Sequence, residues 1–91
     1  MNIKIQSENL NEIKEELIKE GKTVVRFEMV DFGWSGPIFD IKFDDIKEED
    51  VLEEIDGVKF VIESELEAGL VNPEIIKIGS KFSVKRTSCG C

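Results

Sequence analysis

Histidine and tyrosine are absent from this chain of 91 residues, and cysteine occurs only as Cys89 and Cys91. Without histidine, no side chain titrates near neutrality in its ordinary state and no imidazole is available to a metal. The two thiols are therefore the only thiolate metal ligands and the only strong nucleophiles. Acidic side chains are missing from residues 75–91, although the chain holds 20 of them and has a net charge of −8. That balance excludes nucleic acid as an expected partner, because affinity for a phosphate backbone comes from Lys and Arg. No apolar run approaches the roughly 18 residues of a membrane-spanning helix. The start of the chain lacks the apolar stretch of a secretory signal. Neither a membrane partner nor export is expected, and the expected location is the cytoplasm. In that reducing compartment two cysteines point to metal binding or catalysis before a structural disulfide.

Forty-one per cent of the residues are hydrophobic, which is ordinary for a folded domain. A chain of this size forms one domain that buries roughly 60–65% of its unfolded surface. Residues 1–91 are read as that single domain. Met1–Gln6 alternates like a short strand, with Ile3 and Ile5 on one side. Leu10, Ile13, Leu17 and Ile18 then follow at helical spacing before Gly21, which predicts a helix over residues 8–20. Its start is offered by Ser7, or by Asn9 with Glu12 in capping-box spacing. Thr23–Asp31 alternates Val25, Phe27 and Met29 against Val24, Arg26 and Glu28. Phe39, Ile41 and Phe43 share one face of Ile38–Asp44, and Val58, Phe60 and Ile62 share one face of the following hairpin. Asp56-Gly57 is a two-residue turn signal between Val51–Ile55 and Val58–Ile62. Ser64 with Glu67 marks a short helix over Glu65–Leu70, ended by Asn72-Pro73. Glu74–Ile78 and Ser80–Arg86 read as the last strands. The fold class is α+β and β-dominated, a compact domain of short mixed strands with one N-terminal amphipathic helix. Its expected core comprises Val25, Phe27, Phe39, Ile41, Phe43, Val58, Phe60 and Ile62, covered by Leu10, Ile13 and Leu17.

The chemistry concentrates in Cys89-Gly90-Cys91. Two thiols one residue apart suit a metal ion, an iron–sulfur cluster or dithiol redox work. Residues 1–74 carry eight basic residues against 20 acidic ones, a net −12, while Lys77, Lys81, Lys85 and Arg86 give the remainder +4. Nearby cations favour the thiolate that binds metal. Iron and zinc sites want about four ligands, so two chains, each giving two thiolates, would complete one. A disulfide across one residue would be strained and easily reduced, which suits a redox role and not a staple. Thr87–Cys91 has no large apolar anchor, and the tail 87–91 is expected to be mobile without its ligand. Glu48-Glu49-Asp50 reads as a solvated acidic loop. Gly33 and Gly36 serve a turn, not a phosphate loop, which would need more glycines and a lysine.

Phe32-Gly33-Trp34-Ser35-Gly36 between two strands, Asp56-Gly57-Val58-Lys59-Phe60-Val61-Ile62, and the terminal Cys89-Gly90-Cys91 together resemble the HesB/IscA-like family, the A-type carriers of iron–sulfur cluster assembly. The resemblance spans about Met1 to Cys91. It implies a small β-rich protein that is not an enzyme and assembles as a homodimer or larger. It implies a cofactor of iron or an iron–sulfur cluster, with apo-protein acceptors or assembly proteins as partners. Two of the family's three cysteine positions carry over, onto Cys89 and Cys91, as cofactor- and metal-binding residues. The first falls on Trp34, and indole cannot ligate iron, so the chain reads as a variant lacking that cysteine. Two other readings stay open: a thiol redox protein using Cys89 and Cys91, and a cofactor-free HesB-like binding module.

Overall fold

The computed structural model describes residues 2–34 and 36–86. The elements run β1 (Lys4–Ile5), α1 (Ser7–Glu20), β2 (Val24–Gly33), β3 (Gly36–Asp44), β4 (Asp50–Ile55), β5 (Val58–Glu63), a 3-10 turn (Glu67–Gly69), β6 (Pro73–Ile78) and β7 (Lys81–Arg86). The architecture is β-dominated with one N-terminal helix, as the sequence predicts. Two mixed sheets form, a three-stranded one in the order β1-β6-β7 and a four-stranded one in the order β3-β2-β5-β4. β1 runs parallel to β6 and β2 parallel to β5, whereas the remaining pairs are antiparallel.

The helix forms because Leu10, Ile13 and Leu17 recur on one stripe, and all three are buried. Ile18 falls off that stripe and is 82% exposed, against the expectation from spacing alone. Neither predicted cap is used: Gln6 occupies the N-cap position without a side-chain bond, and the Leu10 N–H donates to the Gln6 carbonyl at 3.0 Å. The C-terminus follows the sequence. Gly21 adopts φ 67°, its N–H donates to the Ile18 carbonyl, and the Lys22 N–H reaches back to Leu17. This is a Schellman closure, which satisfies two orphan carbonyls.

β2 and β5 lie at the centre of the four-stranded sheet, with Val25 opposite Phe60 and Arg26 opposite Val61. Phe27 and Phe60 stack with centroids 6.1 Å apart at a 30° tilt. Burying each such ring is worth about 2–3 kcal/mol from area alone. The core holds Leu10, Ile13, Leu17, Val25, Phe27, Phe39, Val58, Phe60 and Ile62 as expected, and adds Leu70 and Ile75. Ile41 and Phe43, expected inside, are only partly buried against it. Met29, on the predicted inner side of β2, is 45% exposed because β2 runs past the end of the core. The predicted alternation also fails at the start of β2. Val24, Val25, Arg26 and Phe27 are all buried, because a central strand is covered on both faces.

Asp56 and Gly57 take φ 47° and 85° between Ile55 and Val58, the two positive values that a tight hairpin turn needs. The expected helix at Glu65–Leu70 shrinks to the 3-10 turn at Glu67–Gly69, again without a side-chain cap. The tail over 87–91, and with it the expectation of mobility there, lies outside the described residues.

Candidate functional site

β2 and β3 form a long hairpin, paired from Val24 and Asp44 to Gly33 and Gly36 at its tip. The register slips between Met29 and Asp31, leaving Val30 as a bulge. Such a bulge bends a strand and strengthens its twist, turning the far end of the ribbon in a new direction. Beyond it the ribbon is apolar and open to solvent: Val30 is 54%, Phe32 71%, Ile38 46% and Trp34 107% exposed. Trp34 is thus an exposed loop aromatic that fills no interior space. The Asp31 carboxylate accepts the Phe32 N–H at 2.8 Å, holding the backbone at the base of the tip.

β7 packs beside β3. Its first residues, Lys81 and Phe82, line a 320 Å³ cleft with Asp40, Ile41 and Phe43. Near its end, Val84 lines a 220 Å³ cleft with Gly33, Trp34, Gly36, Pro37, Ile38 and Phe39. The strand therefore travels along β3 toward the hairpin tip, and Arg86 ends it on that side. Cys89 and Cys91 come after Arg86 and lie outside the described residues. Among the described residues no three metal-ligating side chains converge.

The basic residues upstream of the cysteines do not act together. Lys77 pairs with Glu12 of α1 and sits 5.7 Å from the centre of the Phe82 ring. Lys81 is at the opposite end of β7 from the tail, roughly 17 Å of strand away from Arg86. Lys85 is opposite Glu74 in the β6–β7 ladder. Their proximity in sequence is not proximity in space, so the local excess of positive charge is smaller than the sequence suggests.

Sequence reasoning missed one buried polar constellation. Arg26, placed on the outward face of β2 by alternation, is 3% exposed. Its guanidinium donates to Asp50 twice, Nη1 to Oδ1 at 2.7 Å and Nη2 to Oδ2 at 2.6 Å. Nε donates to Asp44 at 2.7 Å, and Nη2 also reaches the Asp45 carbonyl at 3.1 Å. Asp50 further accepts the Lys47 N–H at 2.7 Å, and Asp44 the Asp45 N–H at 2.8 Å. Asp50 is therefore no part of a solvated loop: its side chain is 2% exposed. The Arg26 bonds hold the Asp50 carboxyl below the ordinary carboxylate range against its burial, with the Lys47 N–H helping. Asp44 is lowered first by the Asp45 N–H and then by Arg26. The Arg26 pKa is raised, chiefly by the Asp50 bonds. Each guanidinium nitrogen is engaged, so this is a clamp joining β2, β3 and β4. The available signal was a lone Arg in an apolar stretch with three aspartates at the ends of the neighbouring strands.

The chain matches no protein-family model, and no curated protein matches it by sequence. Solved structures do match it. Escherichia coli SufA, described as involved in biosynthesis of iron–sulfur clusters, aligns with a TM-score of 0.73 at 18% identity, over 98% of this chain and 89% of SufA. A protein from Aquifex aeolicus aligns with a TM-score of 0.67 at 26% identity, over 96% of this chain and 93% of the other. IscA, solved with a [2Fe-2S] cluster, aligns with a TM-score of 0.66 at 17% identity, over 98% and 92%. Each alignment runs over nearly the full length of both chains, so the chain has the HesB/IscA-like fold.

Proposed function

We propose that this single-domain protein is an A-type-carrier-like protein, not an enzyme, which takes iron or an iron–sulfur cluster as cargo through Cys89 and Cys91. The observation that carries this reading is the path of β7. It delivers the chain to the hairpin tip where the resemblance expects the family's first cysteine. Cys89 lies five residues after Val84, so covalent geometry keeps it within about 18 Å of the cleft that Trp34 lines. The full-length likeness to SufA and IscA supports the same reading.

Two thiolates from one chain do not fill a tetrahedral site, and Trp34 cannot add a third. Two chains supply four, enough for a [2Fe–2S] or [4Fe–4S] cluster. The working unit is then a homodimer, and the partners are apo-protein acceptors or assembly proteins of the cytoplasm. Trp34 in place of a ligand makes for looser holding than three thiolates per chain.

Anaerobic incubation with ferrous iron and sulfide, followed by visible absorption, tests this. The expected result is a charge-transfer band lost in Cys89→Ser and in Cys91→Ser, and strengthened in Trp34→Cys. If neither the parent nor Trp34→Cys takes up iron, the carrier reading fails. The full exposure of Trp34 favours one replacement, a cofactor-free HesB-like binding module. Thiol titration before and after mild oxidation distinguishes that module from a dithiol redox protein.

A further inference from the structure

The three-stranded sheet has an outer face that the core does not use. In β6, Ile75 packs into the core and Lys77 pairs with Glu12 of α1, so the odd-numbered residues face inward. Glu74, Ile76 and Ile78 therefore face outward, because side chains alternate along a strand. Residues directly opposite one another in a ladder share a face. The register thus sets Lys4 and Lys85 on either side of Glu74, Ser83 beside Ile76, and Lys81 beside Ile78. Phe82 and Val84, which alternate with these on β7, turn inward to the core. A sheet face left to water ordinarily carries polar side chains, yet Ile78 is 63% exposed on this one.

The charge of this face is opposite to that of the chain. Three lysines against Glu74 make it net basic, in a protein of net charge −8. Lys4, Lys81 and Lys85 are exposed, and none has an ion-pair partner among the described residues. Lys22, Lys42 and Lys77, by contrast, each pair with a carboxylate. Lys81 lies roughly 14 Å from Lys85 along β7, and Lys4 about 10 Å from Lys85 across β6. The three cations so frame Ile76 and Ile78. At physiological ionic strength charges more than about 8 Å apart are largely screened. A carboxylate resting on this face therefore responds to the lysine it touches and little to the acidic remainder of the chain. The face also has a recess. β1 pairs with β6 only at Glu74 and Ile75, and beyond them the edge of β6 borders a 280 Å³ cleft lined by Ile76, Lys77, Gln6 and Asn9. A cavity of about 150 Å³ is enough to hold benzene, so this one has room for an aliphatic side chain.

We infer that the outer face of the β1-β6-β7 sheet docks an acidic protein segment that carries aliphatic side chains among its carboxylates. The carboxylates meet Lys4, Lys81 and Lys85, while an aliphatic side chain covers Ile78 and enters the cleft beside Ile76. A phosphate backbone fits less well, since three lysines give few phosphate contacts and the isoleucines give none. The inference deepens the carrier reading by giving its partner proteins a chemistry, and it rests on that reading only for the purpose the docking serves. Solvent-exposed charges of this kind set partner choice and on-rate more than affinity, so the docking is weak and transient.

The test titrates the metal-free, reduced protein with a soluble random copolymer of glutamate and leucine, and reads backbone amide shifts by NMR. Shifts should concentrate on β1, β6 and β7 and shrink as salt rises from about 0.15 to 0.5 M. Lys4→Gln/Lys85→Gln should weaken binding about fivefold, and Ile78→Thr should weaken it with no change of charge. Lys19→Gln/Lys59→Gln, which removes the same charge from exposed sites elsewhere, should leave it unchanged. Equal binding of poly-glutamate would overturn the inference, because the isoleucines would then play no part. Binding of a thymidine 20-mer on the same amides would overturn it in favour of a polyanion site. Shifts of those amides with protein concentration alone, showing a second copy on the face, would overturn it too, as would no binding. Docking in a chain that takes up no iron would keep the face and remove the carrier reading; iron uptake without docking would do the reverse.

Discussion

Removing the Asp50 carboxylate tests how the four-stranded sheet is held at its open end. In the native protein Asp50 accepts two guanidinium bonds at 2.6 and 2.7 Å and the Lys47 N–H at 2.7 Å, with its side chain 2% exposed. Charge-assisted bonds contribute about 1.5–3 kcal/mol each, but three on one carboxylate are not additive. In Asp50→Ala, Arg26 stays buried with only Asp44 and the Asp45 carbonyl as acceptors. Breaking a buried pair from one side costs about 3–5 kcal/mol. For a domain of this size that corresponds to a fall in Tm of roughly 12–25 °C. Replacing both partners, as Arg26→Leu/Asp50→Leu, removes the stranded charge and should cost less than Asp50→Ala alone. Urea denaturation of Arg26→Leu, Asp50→Leu and the double completes the cycle. If Asp50→Ala costs under about 1 kcal/mol, or the double is worse than the sum of its singles, the clamp is not a buried, mutually dependent unit.

Asp44 and Asp50 both sit below the ordinary carboxylate value when folded, so the folded state binds fewer protons than the unfolded one. Their contribution is fully present above the ordinary carboxylate range and is lost as pH falls through the lowered folded values. Denaturation midpoints measured from about pH 7 down to about pH 3 should therefore fall, and fall less steeply in Arg26→Leu/Asp50→Leu. Phe60→Ala, which empties a fully buried position against Phe27, should cost about 3–5 kcal/mol by chemical denaturation. Gly21→Ala meets no neighbouring atom yet should cost about 1 kcal/mol, because φ is 67°. A loss within error of zero there would show that the helix end relaxes into another conformation.

Local signals proved legible where one short stretch of chain supplies its own reason. Gly21 ends α1, Asp56-Gly57 turns β4 into β5, and the inner residues of α1 and β5 follow from periodicity, since each pattern answers to a helix or strand period. The two motifs around Trp34 and Phe60, with the terminal Cys-Gly-Cys, were enough to anticipate the fold that SufA and IscA share. Other expectations failed because burial depends on what a strand lies beside. Nothing in Val24–Phe27 says that this strand is central and covered on both faces, so Arg26 read as outward and Asp50 as solvated. The same limit applied to the cations: Lys77, Lys81, Lys85 and Arg86 cluster in sequence, but the β6–β7 hairpin sends two of them to the end away from the cysteines. The sequence alone determined where the thiols lie, because cysteines are countable and histidine is absent. Only the tertiary structure decided that β7 runs beside β3 toward an exposed apolar tip, since that depends on contacts between strands some forty residues apart.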